Sequence, residues 1–306
     1  MRWYKEIPFL IRHFGFRAMW NIAVRSRLDS NYSRDHAILS VMERGFENEM
    51  ALLLNTQTRV LNLLNSNDFI WVCWMQGEDK MPETIATCYK SLLRNKGRYN
   101  VQLITYSNYR EYVDLPDYLV TKHEAGVISN THFADVIRCY LLWKYGGIWI
   151  DAALFVTKEV DYNGITFSSP KMAFDSSNSI NLKWTVGCLA AGKNFLLFEF
   201  AYKYLLAYWR KYDTPIVYLL LDHVFELAYL NNDTVKTVID SVPLNNEGLH
   251  WCRYHFNDKC DTQVYRELIE NNQFLSLTWR LPYRLHDENG ELTYYGRLLK
   301  DFDRPQ

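Results

Sequence analysis

The residues with the clearest chemical potential are a carboxylate and a guanidinium three positions apart, Asp135 and Arg138, followed by a second carboxylate at Asp151. On a helix, such a pair lies on one flank. Held side by side, the two groups can grip several hydroxyls of a polyol at once. The same spacing suits an acid near a helix N-terminus with a surface ion-pair partner, a contact that stabilises little. Asp151 follows Ile148-Trp149-Ile150, so it emerges at the carboxyl end of a strand, where a hard cation or a ribose would be met. Gly146-Gly147 can end the helix with a positive φ and let the next strand pass close.

Three other groupings have suggestive residue types and a plainer explanation. Asp301-Phe302-Asp303 is an Asp-x-Asp, yet beside Arg304-Pro305 it reads as a solvated tail. His250, Cys252, His255 and Cys260 have zinc-ligand chemistry, but a strand here would point Cys252 and His255 to opposite faces. Tyr202, Tyr204, Tyr208, Trp209 and Tyr212 could form a sugar platform; at these spacings they fit an aromatic helix packed in the domain.

The elements that must position the acidic and basic groups follow from periodicity. Phe69 to Met75 is a short apolar run broken by Gln76-Gly77 and reads as a strand buried on both faces of a parallel sheet. Pro82 suits the first turn of a helix reaching about Asn95, and Val101 to Thr105 is a second strand, which completes a β-α-β unit. A helix from about Thr131 to Tyr145 leads into the third strand, Ile148 to Ile150. Ligands of such sheets sit at the carboxyl ends of strands, where Trp74 and Asp151 both fall. Helices are expected again at about 194–211 and 217–231, and a long one at about 32–65.

Composition narrows the classes. Hydrophobic residues at 48% and charged residues at 23% exclude a disordered chain. Lys and Arg number 34 against 35 Asp and Glu, so no global basic field draws the protein to nucleic acid. No Gly-x-Gly-x-x-Gly follows the first strand, which disfavours a dehydrogenase. Six cysteines without a CxxC pair read as reduced thiols, and no apolar run spans a bilayer, so a cytoplasmic protein is expected. Within residues 1–44, eight basic side chains stand against four acids, interleaved with Trp3, Phe9, Phe14, Phe16 and Trp20. That pattern fits an arm on the anionic inner face of a membrane, or equally a helix packed on the main body with a solvated basic face. Residues 1–66 are expected as this helical arm and 67–306 as the main domain.

Taken in order, Ala134-Asp135-Val-Ile-Arg138, Tyr145-Gly146-Gly147, Ile148-Trp-Ile150 and Asp151-Ala152-Ala153 resemble the capsular polysaccharide synthesis proteins of glycosyltransferase family 32. These are relatives of the sugar-transferring domains of large clostridial toxins. Ile70 to Gly77 with Met81-Pro82, Tyr112 to Tyr118, Tyr218 to Asp222 and, more faintly, Leu277 to Arg280 carry the same likeness. The resemblance implies a glycosyltransferase A-type α/β fold, a Rossmann-like nucleotide-binding sheet with a helical N-terminal arm and helical additions. It implies transfer of a hexose, with retention, from a nucleotide-sugar such as a UDP-sugar to a glycan or lipid-linked acceptor. By position, Asp135 and Arg138 would hold donor hydroxyls, Trp74 would lie near the nucleobase, and Asp222 would face sugar or acceptor. Gln76, Gly147, Trp279 and Arg280 would complete the donor site.

Asp151 would meet ribose or a Mn²⁺ or Mg²⁺ ion, with His286 as a distant second ligand. The family's metal motif, however, has a second Asp where this chain has Ala153, a position at which the capsular subgroup often carries a small or hydroxyl residue. Leu275-Ser276 replaces a His-Lys, so Arg280, Arg284 or His286 would have to meet the diphosphate. The competing expectation, which Ala153 and Ser276 favour, is a non-catalytic nucleotide-sugar or glycan binding relative within a polysaccharide-synthesis complex.

Overall fold

The computed structural model describes residues 7–29, 33–55, 61–65, 68–172 and 183–303. Its centre is a five-stranded sheet in the order β2-β1-β3-β6-β5. The strands are β1 (Phe69–Cys73), β2 (Asn100–Ile104), β3 (Gly147–Ile150), β4 (Leu154–Val156), β5 (Phe167–Ser168), β6 (Cys188–Ala191) and β7 (Phe274–Ser276). β1 runs parallel to both β2 and β3, as its apolar run implied, with Ile70, Trp71 and Val72 fully buried. The sheet is mixed, because β6 pairs antiparallel with β3 and β5 antiparallel with β6. β4 and β7 form a separate antiparallel pair in which Leu154 faces Ser276.

The α/β class and the β-α-β unit are as expected, with the crossover helix at Glu83–Asn95. The helix Asn130–Lys144 is capped by Ser129, whose hydroxyl accepts from the His132 amide. It ends through Gly146 at φ 73° and Gly147 at φ 99°. A Cβ on Gly147 would stand 2.4 Å from the Phe69 carbonyl oxygen and 3.0 Å from Trp71 Nε1, so this glycine permits contact between β3 and β1.

The single helix expected at about 32–65 is two, Arg34–Gly45 and Glu47–Asn55. Between them Phe46 turns inward, with its ring 4.6 Å from that of Tyr204, and its packing overrides the helical period. The arm forms a helix at Ile7–Met19 continued by a wider turn at Trp20–Arg25. Leu10, Met19 and Ile22 join the same core as the helices Leu196–Lys211 and Leu220–Asn231. Tyr202, Tyr204, Tyr208, Trp209 and Tyr212 are all buried in that core, as the packed-helix reading required. No helix among the described residues is long and apolar enough to cross a membrane.

Two local expectations are corrected. The segment around His250 to Cys260 contains a short helix, Cys252–His255, not a strand; Cys252 is fully buried beneath it while His255 is exposed and paired with Asp258. Asp301 and Phe302 belong to a C-terminal helix, Tyr294–Phe302, not to a tail. Its Tyr294, Tyr295 and Leu298 are buried, and Asp301 accepts from Arg297 at 2.8 Å.

Candidate functional site

Strand alternation builds the site from β3 outward. Ile148 and Ile150 enter one core, whereas Trp149 faces the other, under the helix Asn130–Lys144. Asp151, two residues on, shares the Trp149 side, and Trp149 Nε1 donates to its Oδ1 at 2.7 Å. The i, i+3 spacing on the helix brings Arg138 over the same spot. Its guanidinium lies 4.7 Å above the Trp149 ring and its Nη2 reaches Asp135 Oδ1 at 3.3 Å and Asp151 Oδ1 at 3.2 Å. Nη1 donates to the Val186 carbonyl, and Nε has no hydrogen-bond partner among the described residues.

Arg138 is 4% exposed and Asp135 7%, which removes the surface ion-pair reading: this is a buried cation between two carboxylates. Burial would lower the guanidinium, but Asp151 and Asp135 outweigh it and hold Arg138 above its ordinary value. Burial raises Asp135, against the opposing pull of Arg138. The site therefore holds fixed charges away from bulk water, where electrostatic contacts are strongest.

A third carboxylate completes it. Asp222 lies in the first turn of Leu220–Asn231 and accepts from Trp184 Nε1 at 3.2 Å. Burial and the neighbouring Asp135 carboxylate raise it to about 6. The helix bearing it is pinned by His223, whose Nδ1 lies 2.9 Å from the Leu219 carbonyl and whose Nε2 lies 3.1 Å from Asp35. Through this buried pair the arm helix Arg34–Gly45 sets the position of Asp222.

The other anticipated residues lie around this centre. Trp74 is half-buried just beyond β1, its Nε1 directed at the Lys80 carbonyl, and Gln76 is exposed beside it. Tyr106, His123, Ser129 and Asn130 line a pocket of about 350 Å³. Trp279 and Arg280 are exposed on the loop after β7, and the Leu277 amide bonds the Ala153 carbonyl at 2.9 Å, which ties that loop to the end of the Asp151 segment. Gly147 is buried with its Cα packed against β1. His286 is exposed and bridged to Leu292. Among the described residues, no three His, Cys, Asp or Glu side chains gather into a set that could hold a metal ion. A groove of about 840 Å³ lies elsewhere, between Glu47–Asn55 and Leu196–Lys211.

Sequence reasoning missed Trp149, Trp184 and the Val186 carbonyl. Trp149 was legible, since a residue two before Asp151 shares its strand face. Nothing local marks Trp184, which meets Asp222 only through the fold.

The family model described as capsular polysaccharide synthesis protein matches residues 19–298. The O-glycosyltransferase braB of Annulohypoxylon truncatum is 30% identical over 129 residues, covering 39% of this chain and 30% of that protein. The chain thus spans less than a third of that relative's length. The structure titled PaToxG Glycosyltransferase aligns with 82% of this chain and 98% of its own, at 12% identity and a TM-score of 0.38.

Proposed function

The chain belongs to the capsular polysaccharide synthesis protein family, and on that premise we propose that it is a retaining glycosyltransferase. It moves a hexose from a nucleotide-sugar, a UDP-sugar in the first instance, to a glycan or lipid-linked acceptor at the cytoplasmic face of a membrane. The observation that carries this reading is the Asp135–Arg138–Asp151 cluster, with Asp135 and Arg138 buried and Asp151 partly exposed, and with Asp222 close enough to Asp135 and Arg138 to feel both charges. A cation gripped by two carboxylates cannot swing, so the carboxylates it holds are fixed in place to meet sugar hydroxyls.

In this reading Asp135 and Arg138 orient the donor sugar, Asp151 meets the ribose, and Trp74 and the pocket beside Tyr106 take the nucleobase. Asp222, negative above about pH 6, faces the anomeric centre, where positive charge develops as the glycosidic bond loosens. The arm contributes a membrane contact. Ile11, Phe16 and Trp20 stay exposed although Leu10, Met19 and Ile22 are buried, and Arg12 and Arg17 flank them, a pattern complementary to anionic lipid.

The test is release of nucleoside diphosphate from a panel of nucleotide-sugars, with Asp135→Ala beside the wild type. The variant is expected to lose about 100-fold or more in turnover. Turnover near wild type would remove the donor-site assignment. Failure of the wild type to bind any donor would favour the non-catalytic relative that Ala153 suggests.

A further inference from the structure

The donors around Asp151 suit a divalent cation poorly. Asp151 Oδ1 is already shared by Trp149 Nε1 and Arg138 Nη2, which leaves one carboxylate oxygen. Ala153, partly exposed, brings no second oxygen ligand from its side chain. Mg²⁺ or Mn²⁺ asks for several oxygen ligands in near-octahedral order. Charge on a departing diphosphate still has to be met by something.

A guanidinium is tied to the strand that pairs with the segment just after this gap. Leu154 pairs with Ser276 across β4 and β7, and the Leu277 amide bonds the Ala153 carbonyl, so Ser276 stands opposite the residue after Ala153. Ser276 is 6% exposed, and its hydroxyl accepts from Arg253 Nη2 at 3.3 Å. The Arg253 backbone is fixed as well. Cys252 is fully buried beside it, and the Ser276 amide bonds the Leu249 carbonyl at 2.7 Å, which knits the segment before Arg253 to β7. Arg253 is exposed and has no carboxylate partner among the described residues. The other candidate cations are placed less well: Arg138 is committed to Asp135, Asp151 and Val186, Arg284 lies 3.8 Å from Glu288, and Arg280 rests over the Trp279 ring.

We propose that Arg253, held by Ser276, binds the diphosphate of the donor in place of a divalent cation, so that transfer proceeds without metal. The inference rests on the nucleotide-sugar reading above. In the step concerned, the bond between the anomeric carbon and the β-phosphate oxygen breaks and its electron pair stays on that oxygen. The acceptor hydroxyl oxygen forms the new bond to the anomeric carbon, and its proton passes to the departing diphosphate. Arg253 meets the charge that gathers on the phosphate, and its planar fork suits two oxygens at once.

The experiment has two readouts on the full chain, in EDTA and in added Mg²⁺ or Mn²⁺. One is calorimetric binding of UDP, GDP and ADP, and the other is release of diphosphate from the corresponding nucleotide-sugars. Wild type is expected to bind one nucleoside diphosphate in EDTA and to turn over its donor within about twofold of the rate with metal. Arg253→Met is expected to weaken that binding about tenfold and to lower turnover about 100-fold, while Arg253→Lys recovers part of both. A thermal melt within a few degrees of wild type shows that either variant is folded; Arg253 is exposed, so little stability depends on it. Abolition of wild-type binding and turnover by EDTA, or Arg253→Met behaving as wild type, would overturn the inference and leave the glycosyltransferase reading standing. Failure to bind any nucleoside diphosphate in any condition would overturn the reading beneath it as well.

Discussion

Replacing Asp222 with Asn separates the cost of its buried charge from the use of that charge. Burial first, then Asp135, raises the carboxyl from 3.8 to about 6, against smaller opposing pulls from Trp184, His223 and Arg138. One unit corresponds to about 1.4 kcal/mol, so the charged form penalises the fold by about 3 kcal/mol. Because the folded value is raised, the unfolded chain releases its proton first as the pH climbs. Stability therefore falls between the ordinary value and about 6, and the penalty is complete above that window. Asparagine keeps an oxygen for Trp184 Nε1 and carries no charge. Asp222→Asn is thus expected to raise the melting temperature by about 5 °C near pH 7.5 and by about a third of that near pH 4.5. Turnover should fall about 100-fold, because the negative charge facing the anomeric centre is gone. Calorimetric melts at the two pH values, with diphosphate release alongside, check both. Equal shifts at both pH values would refute the raised carboxyl, and unchanged turnover would take Asp222 out of the reacting centre.

Three further outcomes follow from particular contacts. Gly147→Ala would drive a Cβ to 2.4 Å from the Phe69 carbonyl oxygen at a φ of 99°, so a loss of about 3 kcal/mol in chemical denaturation is expected. Asp35→Ala leaves His223 without its acceptor in the core; about 3 kcal/mol of stability and a fall in turnover are expected together, and turnover at the wild-type rate would show that Asp35 does not position Asp222. In flotation with phosphatidylserine-containing vesicles, the full chain should rise at low salt and sink at high salt, while Phe16→Glu with Trp20→Glu should sink at both; wild type that stays down at low salt removes the membrane contact.

The part of the fold that could be read in advance is the part encoded within about 15 residues. The apolar run at Phe69 to Cys73, the stripe of Phe133, Val136, Ile137 and Leu141, and the glycine pair before β3 each announce their element locally. Together they placed Asp135, Arg138 and Asp151 near one another before any tertiary contact was known. They did not settle whether Asp135 and Arg138 were a surface pair or a buried one, because helical spacing fixes a face and not what covers it. The decision came from Val186 and Trp149, one on a loop before β6 and one beneath the helix. Long-range packing also ended the predicted continuous helix at Phe46, where burial against Tyr204 outweighs one more turn of backbone hydrogen bonds.

The least legible feature is the one on which the metal question turns. Ala153 marks the missing ligand in the sequence, and the cations that follow Leu275-Ser276 along the chain are Arg280, Arg284 and His286. Arg253 sits a hundred positions after Ala153 and follows an aromatic stretch that reads as a strand. Only the pairing of Leu154 with Ser276, and the turn that makes Cys252–His255 helical, swing its side chain onto the Ser276 hydroxyl. A carboxylate that holds a divalent cation and a guanidinium are alternative ways to put positive charge at a leaving diphosphate, but the first is legible at one position and the second is a property of a register. Sequence comparison confined to the Asp-x-Asp motif would score this site as damaged. The β4 and β7 pairing makes it a site with its charge supplied from another element, and the EDTA arm of the diphosphate binding experiment separates the two descriptions directly.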